Sequence, residues 1–222
     1  MHVTTYLLLP SALLGAVAWE PVAETLRSTG ERVAVASTAG CATAEEVLAA
    51  YVAAAPGGED VVVVPHSNAG YFAPAVADRL RATGVVYVDA ALPAGSGASP
   101  LAPPGFLEFL TGLADDEGLL PPWSRWWPDG DGLFPDAATR DRVRAVEPRL
   151  PLAYFWSTVA APAGWQSAPA AYLGFGDTSA EEQERAAALG WPSARLEGGH
   201  LLLLHEPDAC AAAVVGLRGR LG

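Results

Sequence analysis

Lysine and isoleucine are absent from this 222-residue chain, and methionine and asparagine occur once each, the latter as Asn68. All 13 basic residues are therefore arginines. We read this as the imprint of GC-rich coding rather than adaptation, so bulk composition carries little functional weight. Positive charge is scarce: 25 acidic residues against 13 basic ones leave a formal net charge of −12. Such a chain repels phosphate backbones and anionic bilayers, which argues against nucleic acid or a membrane surface as partner. The two cysteines, Cys41 and Cys210, lie far apart and in no zinc-like spacing. A chain of this size needs no staple, so reduced thiols are expected and no metal. No apolar run approaches the roughly 20 residues that span a bilayer. Residues 6–18 are largely apolar and end in Ala16-Val17-Ala18, as a leader does before cleavage. No Lys or Arg precedes Arg27, however, and Pro10, Ser11 and Gly15 break the run, so a cytoplasmic location is expected.

What is present suits one domain around one core: 51% of residues are apolar and 17% charged. Short apolar runs alternate with helical patterns up to Asp89, the grammar of a parallel sheet with crossover helices. Strands are expected over residues 3–9, 32–36, 60–65 and 85–89. Helices are expected over residues 20–28, 44–55 and about 69–83. Val61 to Val64 is an unbroken β-branched run without polar alternation, so this strand should be buried on both faces at the middle of the sheet. From Leu92 to Pro169 the pattern changes to Pro, Gly and Trp, with no convincing strand and helical pieces over residues 104–113, 136–147 and 150–158. Regularity returns with strands over 170–174 and 194–196 and helices over 179–189 and 206–217. The expected fold class is α/β, with a mostly parallel central sheet of about six strands flanked by helices. The core then comprises residues 1–91 and 170–222, and residues 92–169 form an insertion after the fourth strand.

The central strand runs through Pro65-His66-Ser67-Asn68-Ala69-Gly70 straight into a helix. A serine on such a tight turn has its hydroxyl raised at the carboxyl edge of the sheet, beside the free N–H groups of a helix start, which suits a nucleophile. Small residues are needed two positions either side of it; Ala69 complies, and Pro65 stands where glycine is usual. The chain has four histidines to act as base: His2, His66, His200 and His205. His200 follows Gly198-Gly199 after the last strand, at the same sheet edge as Ser67, and is the best placed. His66 reads as a support for the turn and His205 as structural. A third member should be a carboxylate after a neighbouring strand, and Asp177 meets that description. The order Ser67, Asp177, His200 is that of one known triad arrangement.

On these motifs the chain resembles the α/β-hydrolases, specifically the small actinobacterial kind with a helical cap inserted after the strand that follows the nucleophile helix. The likeness covers nearly the whole chain and implies that the first two strands of the eight-strand fold are missing. It implies that Ser67 attacks a carbonyl, His200 accepts its proton, Asp177 orients His200, and the Asn68 N–H is one oxyanion donor. The second donor should come from the loop after the first strand. There Pro10 replaces the family's usual His and carries no N–H, leaving Ala12 or Leu13. Asp89 also ends a strand and competes with Asp177, because some relatives of this fold place the acid there.

The insertion gathers Phe106, Phe109, Trp123, Trp126, Trp127, Phe134, Tyr154, Phe155, Trp156 and Trp165. Laid over the carboxyl edge, some of these rings would line a pocket, with Trp123, Trp126, Trp127 and Trp156 as candidates and an apolar, at most weakly charged small molecule as ligand. The expected function is a serine hydrolase cleaving an ester, thioester or lactone of a hydrophobic small molecule through an acyl-enzyme. Two alternatives share the scaffold: a cofactor-free lyase, cyclase or isomerase using Ser67 and His200 for proton transfer, and a non-catalytic small-molecule binder. No metal or organic cofactor is implied, and a homodimer is left open.

Overall fold

The computed structural model describes residues 4–57, 60–128 and 130–221. His2 and the Val3 start of the first strand lie outside them. The core is a six-stranded, wholly parallel sheet of β1 (Thr4–Leu9), β2 (Arg32–Val35), β3 (Asp60–Pro65), β4 (Gly84–Val88), β7 (Ala170–Phe175) and β8 (Ser193–Leu196), in the order β2-β1-β3-β4-β7-β8. The four inner strands are buried almost end to end, whereas the edge strands β2 and β8 expose Arg32, Ser193 and Arg195. Unbroken apolar runs therefore sit where helices cover both faces, and mixed runs sit at the margins.

Parallel connections need crossovers, and four of them are the helices α1 (Glu20–Ser28), α2 (Ala44–Ala53), α3 (Ala73–Leu80) and α7 (Ala180–Ala188); after β8 the chain closes with the single turn α8 (Leu202–His205) and α9 (Pro207–Arg218). α2 starts at a capping box in which Thr43 Oγ1 accepts the Glu46 N–H and the Glu46 carboxylate accepts the Thr43 N–H. α1 packs on α9, and α2 on α3. Because β3 returns to the far side of β1 from β2, the chain reverses direction across the sheet at β1/β3, and the carboxyl ends there open a crevice. Among the described residues, no helix is long and apolar enough to cross a membrane.

Two expectations about local structure are corrected. The helix expected from about residue 69 is split into a 3-10 turn at Ser67–Tyr71 and α3, because the turn after β3 must reverse too tightly for α-helix and Pro74 fits only a helix start. The segment between β4 and β7 is not free of strands: β5 (Gly97–Pro100) pairs antiparallel with β6 (Thr158–Ala161). β5 is Gly-Ala-Ser-Pro, which carries almost no β signal, and the four residues of β6, Thr-Val-Ala-Ala, are too few to stand out from the helical pattern before them. Their pairing ties the start of this segment to its end, with α4 (Pro104–Leu113), α5 (Ala137–Arg144) and α6 (Leu152–Trp156) between them.

Candidate active site

β3 delivers Ser67 onto a strained turn. Its φ is 58°, a region in which non-glycine residues are uncommon and cost on the order of 1 kcal/mol or more. The turn is fastened on both sides: the Ala69 N–H donates to the His66 carbonyl at 3.2 Å, and the Ala91 N–H donates to the Ser67 carbonyl at 3.0 Å. Gly70 is what lets the chain beyond β4 come this close, since a Cβ there would lie 1.9 Å from the Ala91 carbonyl oxygen. The serine hydroxyl lies 2.9 Å from His200 Nε2, and His200 Nδ1 lies 2.6 Å from Asp89 Oδ2.

His200 arrives from the loop after β8. Gly176, at φ 49°, makes room for that loop, since a Cβ there would meet the Gly198 carbonyl oxygen at 2.4 Å. His66 holds the loop from below. The two imidazoles stack at 4.7 Å, and the His66 ring nitrogen Nε2 donates to the His200 carbonyl at 3.0 Å. Burial, then the neighbouring His200, pushes the His66 pKa down to about 3, so this ring stays neutral. With Nδ1 unbonded, its proton belongs on Nε2.

The acid partner is Asp89, and the expectation that Asp177 orients His200 is corrected. Asp177 points into solvent with its side chain 86% exposed and accepts from Arg195 at 2.9 Å. The reason lies in how the two strand ends interlock. Asp89, at φ 43°, turns its carboxylate into the gap between the ends of β4 and β7. There Oδ1 accepts the Phe175 N–H at 3.1 Å and the Ser179 hydroxyl, while Oδ2 accepts the Thr178 hydroxyl at 2.7 Å. The chain after Phe175 is thereby spent on holding Asp89, and Asp177 is carried outward. Burial raises the Asp89 pKa, but the hydrogen bond and charge of His200, followed by the Ser179 and Thr178 hydroxyls, outweigh it and bring it down to about 2. A buried carboxylate ionised at neutral pH and surrounded by donors holds His200 in the tautomer that leaves Nε2 free to accept.

Among the described residues, two backbone N–H groups on the segments that leave the adjacent ends of β1 and β3 are unpaired: neither the Asn68 N–H nor the Ala12 N–H meets a protein acceptor. The Leu13 N–H, by contrast, donates to Ser11 Oγ at 3.2 Å, and those of Leu14 and Gly15 close onto the Ser11 carbonyl. Of the two residues open from sequence, Ala12 is the one with a free donor; Leu13 contributes its side chain to the pocket wall.

The site lies on the floor of a cavity of about 650 Å³, large enough for a drug-sized molecule. Trp123 and Trp127 line it, together with Leu101, Phe106 and Leu133 from the same segment. Two of the four expected tryptophans do not. Trp126 is buried between Phe106 and Phe109, with its indole N–H donating to the Pro121 carbonyl at 2.9 Å. Trp156 is 63% exposed, because α6 turns Leu152, Tyr154 and Phe155 inward and leaves the next position facing out. Sequence reasoning missed Thr178 and Ser179 as holders of the acid, and Tyr71 and Glu182 as polar members of the wall. Lone hydroxyls and a helix-start glutamate carry no sequence signal for such roles. His205, read as structural, hydrogen-bonds through Nε2 to the Leu133 carbonyl at 3.0 Å.

A parallel sheet with a strained serine on the turn after a central strand, a histidine on the loop after the last strand and a buried aspartate behind that histidine defines an α/β-hydrolase architecture. The chain belongs to the alpha/beta hydrolase family, whose model matches residues 3–213. No curated protein matches the sequence. Among solved structures, an extracellular α/β-hydrolase from a Paenibacillus species, described as sharing structural and functional homology with tobacco salicylic acid binding protein 2, superposes with a TM-score of 0.77 at 18% identity, covering 96% of this chain and 98% of that one. Polyneuridine aldehyde esterase gives 0.73 at 15% identity over 98% and 100%. Tomato methylketone synthase I, bound to 2-tridecanone, gives 0.73 at 13% identity over the whole of both chains. At these identities the likeness concerns the fold.

Proposed function

We propose that the chain is a serine hydrolase that cleaves an ester, thioester or lactone of a hydrophobic small molecule. The observation that carries this reading is the hydrogen-bonded row Ser67–His200–Asp89, at 2.9 and 2.6 Å, on the floor of an apolar cavity. Ser67 Oγ bonds to the carbonyl carbon while its proton passes to His200 Nε2, and the resulting oxyanion is received by the Ala12 and Asn68 N–H groups. Collapse breaks the bond to the alcohol or thiol, which leaves with the proton from His200. Water then gives a proton to the same nitrogen and attacks the acyl carbon; the acid departs as Oγ is reprotonated. Asp89 stays ionised throughout and stabilises the imidazolium.

On this reading residues 92–169 serve as a cap over a core of residues 1–91 and 170–222, and Trp123 and Trp127 grip the apolar part of the substrate. Glu182 on the wall, within a chain of net charge −12, disfavours anionic substrates and favours departure of the carboxylate product. The esterase names among the structural neighbours point the same way. Proton-transfer lyase or cyclase chemistry needs no pair of free amides at the serine, so the unpartnered Ala12 and Asn68 N–H groups favour acyl transfer over it.

The test is intact-mass spectrometry after exposure to a fluorophosphonate. One adduct, absent from Ser67→Ala and His200→Ala, is expected, followed by turnover of p-nitrophenyl esters. A folded protein that takes no adduct on Ser67 overturns the reading.

A further inference from the structure

The loop that carries Ala12 begins at Pro10, which has no N–H with which to anchor itself. It is anchored through its oxygen instead. Tyr51, on α2 and fully buried, donates its hydroxyl to the Pro10 carbonyl, and its ring meets Phe72, at the start of α3, edge-on at 5.5 Å. The other donor has a matching arrangement. Asn68, the only asparagine in the chain, uses Nδ2 to donate to the Leu101 carbonyl at 3.1 Å, and its Oδ1 accepts the hydroxyl of Tyr154 at 2.8 Å. Tyr154 lies on α6 and is 1% exposed. Two buried hydroxyls thus fasten the Pro10 end of the loop that carries Ala12 and the side chain of Asn68, one from the core and one from the segment between β4 and β7.

We infer that Tyr51 and Tyr154 are positioning residues that set the spacing of the Ala12 and Asn68 N–H groups and so the strength of the oxyanion site. This rests on the hydrolase reading and deepens it. Amide donors stabilise an oxyanion only when held at the position the oxygen reaches in the transition state, and a misplacement approaching 1 Å costs about a hundredfold in rate. The arrangement also explains how Pro10 is tolerated in that loop: a carbonyl fastened by a phenol replaces an anchored amide. Because Tyr154 sits on α6, the oxyanion site is complete only when that segment is seated on the core.

The test uses Tyr51→Phe, Tyr154→Phe and Asn68→Ala in the full chain, each of which keeps the backbone amides. The first readout is the second-order rate at which a fluorophosphonate modifies Ser67, a reaction that forms the Oγ–P bond, expels fluoride and needs no known substrate. The second is kcat and KM on p-nitrophenyl butyrate, with circular dichroism and thermal melting to establish folding. Each tyrosine variant is expected to lose about tenfold in labelling rate and in kcat with KM within about twofold, since the ground-state carbonyl makes little use of the amides. Asn68→Ala combined with Tyr154→Phe should lose no more than Asn68→Ala alone, because the bond from Tyr154 is already gone in that variant. Folded variants that label and turn over at wild-type rates, or losses confined to melting temperature, overturn the inference. A wild-type protein that is itself unmodified at Ser67 overturns the hydrolase reading instead, and this inference with it.

Discussion

Replacing Asp89 by Asn separates the observed acid from its sequence-favoured rival. Asparagine tolerates positive φ better than other residues, so the φ of 43° at this position needs no backbone change. What changes is hydrogen-bond polarity. The carboxylate accepts from the Phe175 amide, the Ser179 and Thr178 hydroxyls and His200. An amide has one accepting end. If it stays on the Phe175 N–H, its NH₂ faces His200 Nδ1 and forces the imidazole proton onto Nε2, which then cannot take the proton of Ser67. The wrong tautomer in a triad of this type costs about 10⁴ in kcat, or roughly 5 kcal/mol of transition-state stabilisation. Asp177→Asn removes only an exposed pairing with Arg195 and should leave kcat/KM within about twofold. The assay is kcat/KM on a p-nitrophenyl ester, beside fluorophosphonate labelling and thermal melting of both variants. Asp89→Asn within tenfold of wild type, or Asp177→Asn the more damaged of the two, would refute the assignment. Acid titration supplies a second check. The folded pKa of Asp89 is depressed to about 2 from 3.8, so its contribution to stability is complete above pH 4 and lost as pH falls through 2; Asp89→Asn should lack that loss.

Further outcomes follow from packing and burial. Gly70→Ala places a Cβ against the Ala91 carbonyl and should lower stability by about 3 kcal/mol or more, read as a shifted urea midpoint. Trp127→Ala should raise KM for aromatic esters about tenfold with little change in melting temperature, since this ring lines the cavity yet is 42% exposed, whereas Trp156→Ala should alter neither. His66 is held neutral when folded but takes a proton when unfolded near pH 6.5, so stability should decline as pH falls from 6.5 toward 3, by about 2 kcal/mol at pH 5. His66→Gln should flatten that slope in urea titrations; an unchanged slope would mean that another group sets it.

The amino-acid sequence by itself determined the parallel sheet, its central strand and the serine on the turn beyond it. These are local matters: a β-branched run without polar alternation has one stable place, between two layers of helices, and Pro65 to Gly70 is the only stretch where such a run meets a helix start through a serine. His200 was legible too, because few histidines compete and only one follows a glycine pair after a strand. The tertiary structure alone decided which carboxylate meets His200. Asp89 and Asp177 both follow strands, and their order along the chain could not show that four donors converge on the first while Arg195 draws the second into solvent. It also decided which tryptophans reach the cavity, since Trp126 and Trp127 are adjacent in sequence and face different surroundings. The same holds for Ala12 over Leu13, and for the tyrosines behind them. Such contacts join positions 41 or 86 residues apart, where no local pattern constrains which side chain ends opposite which.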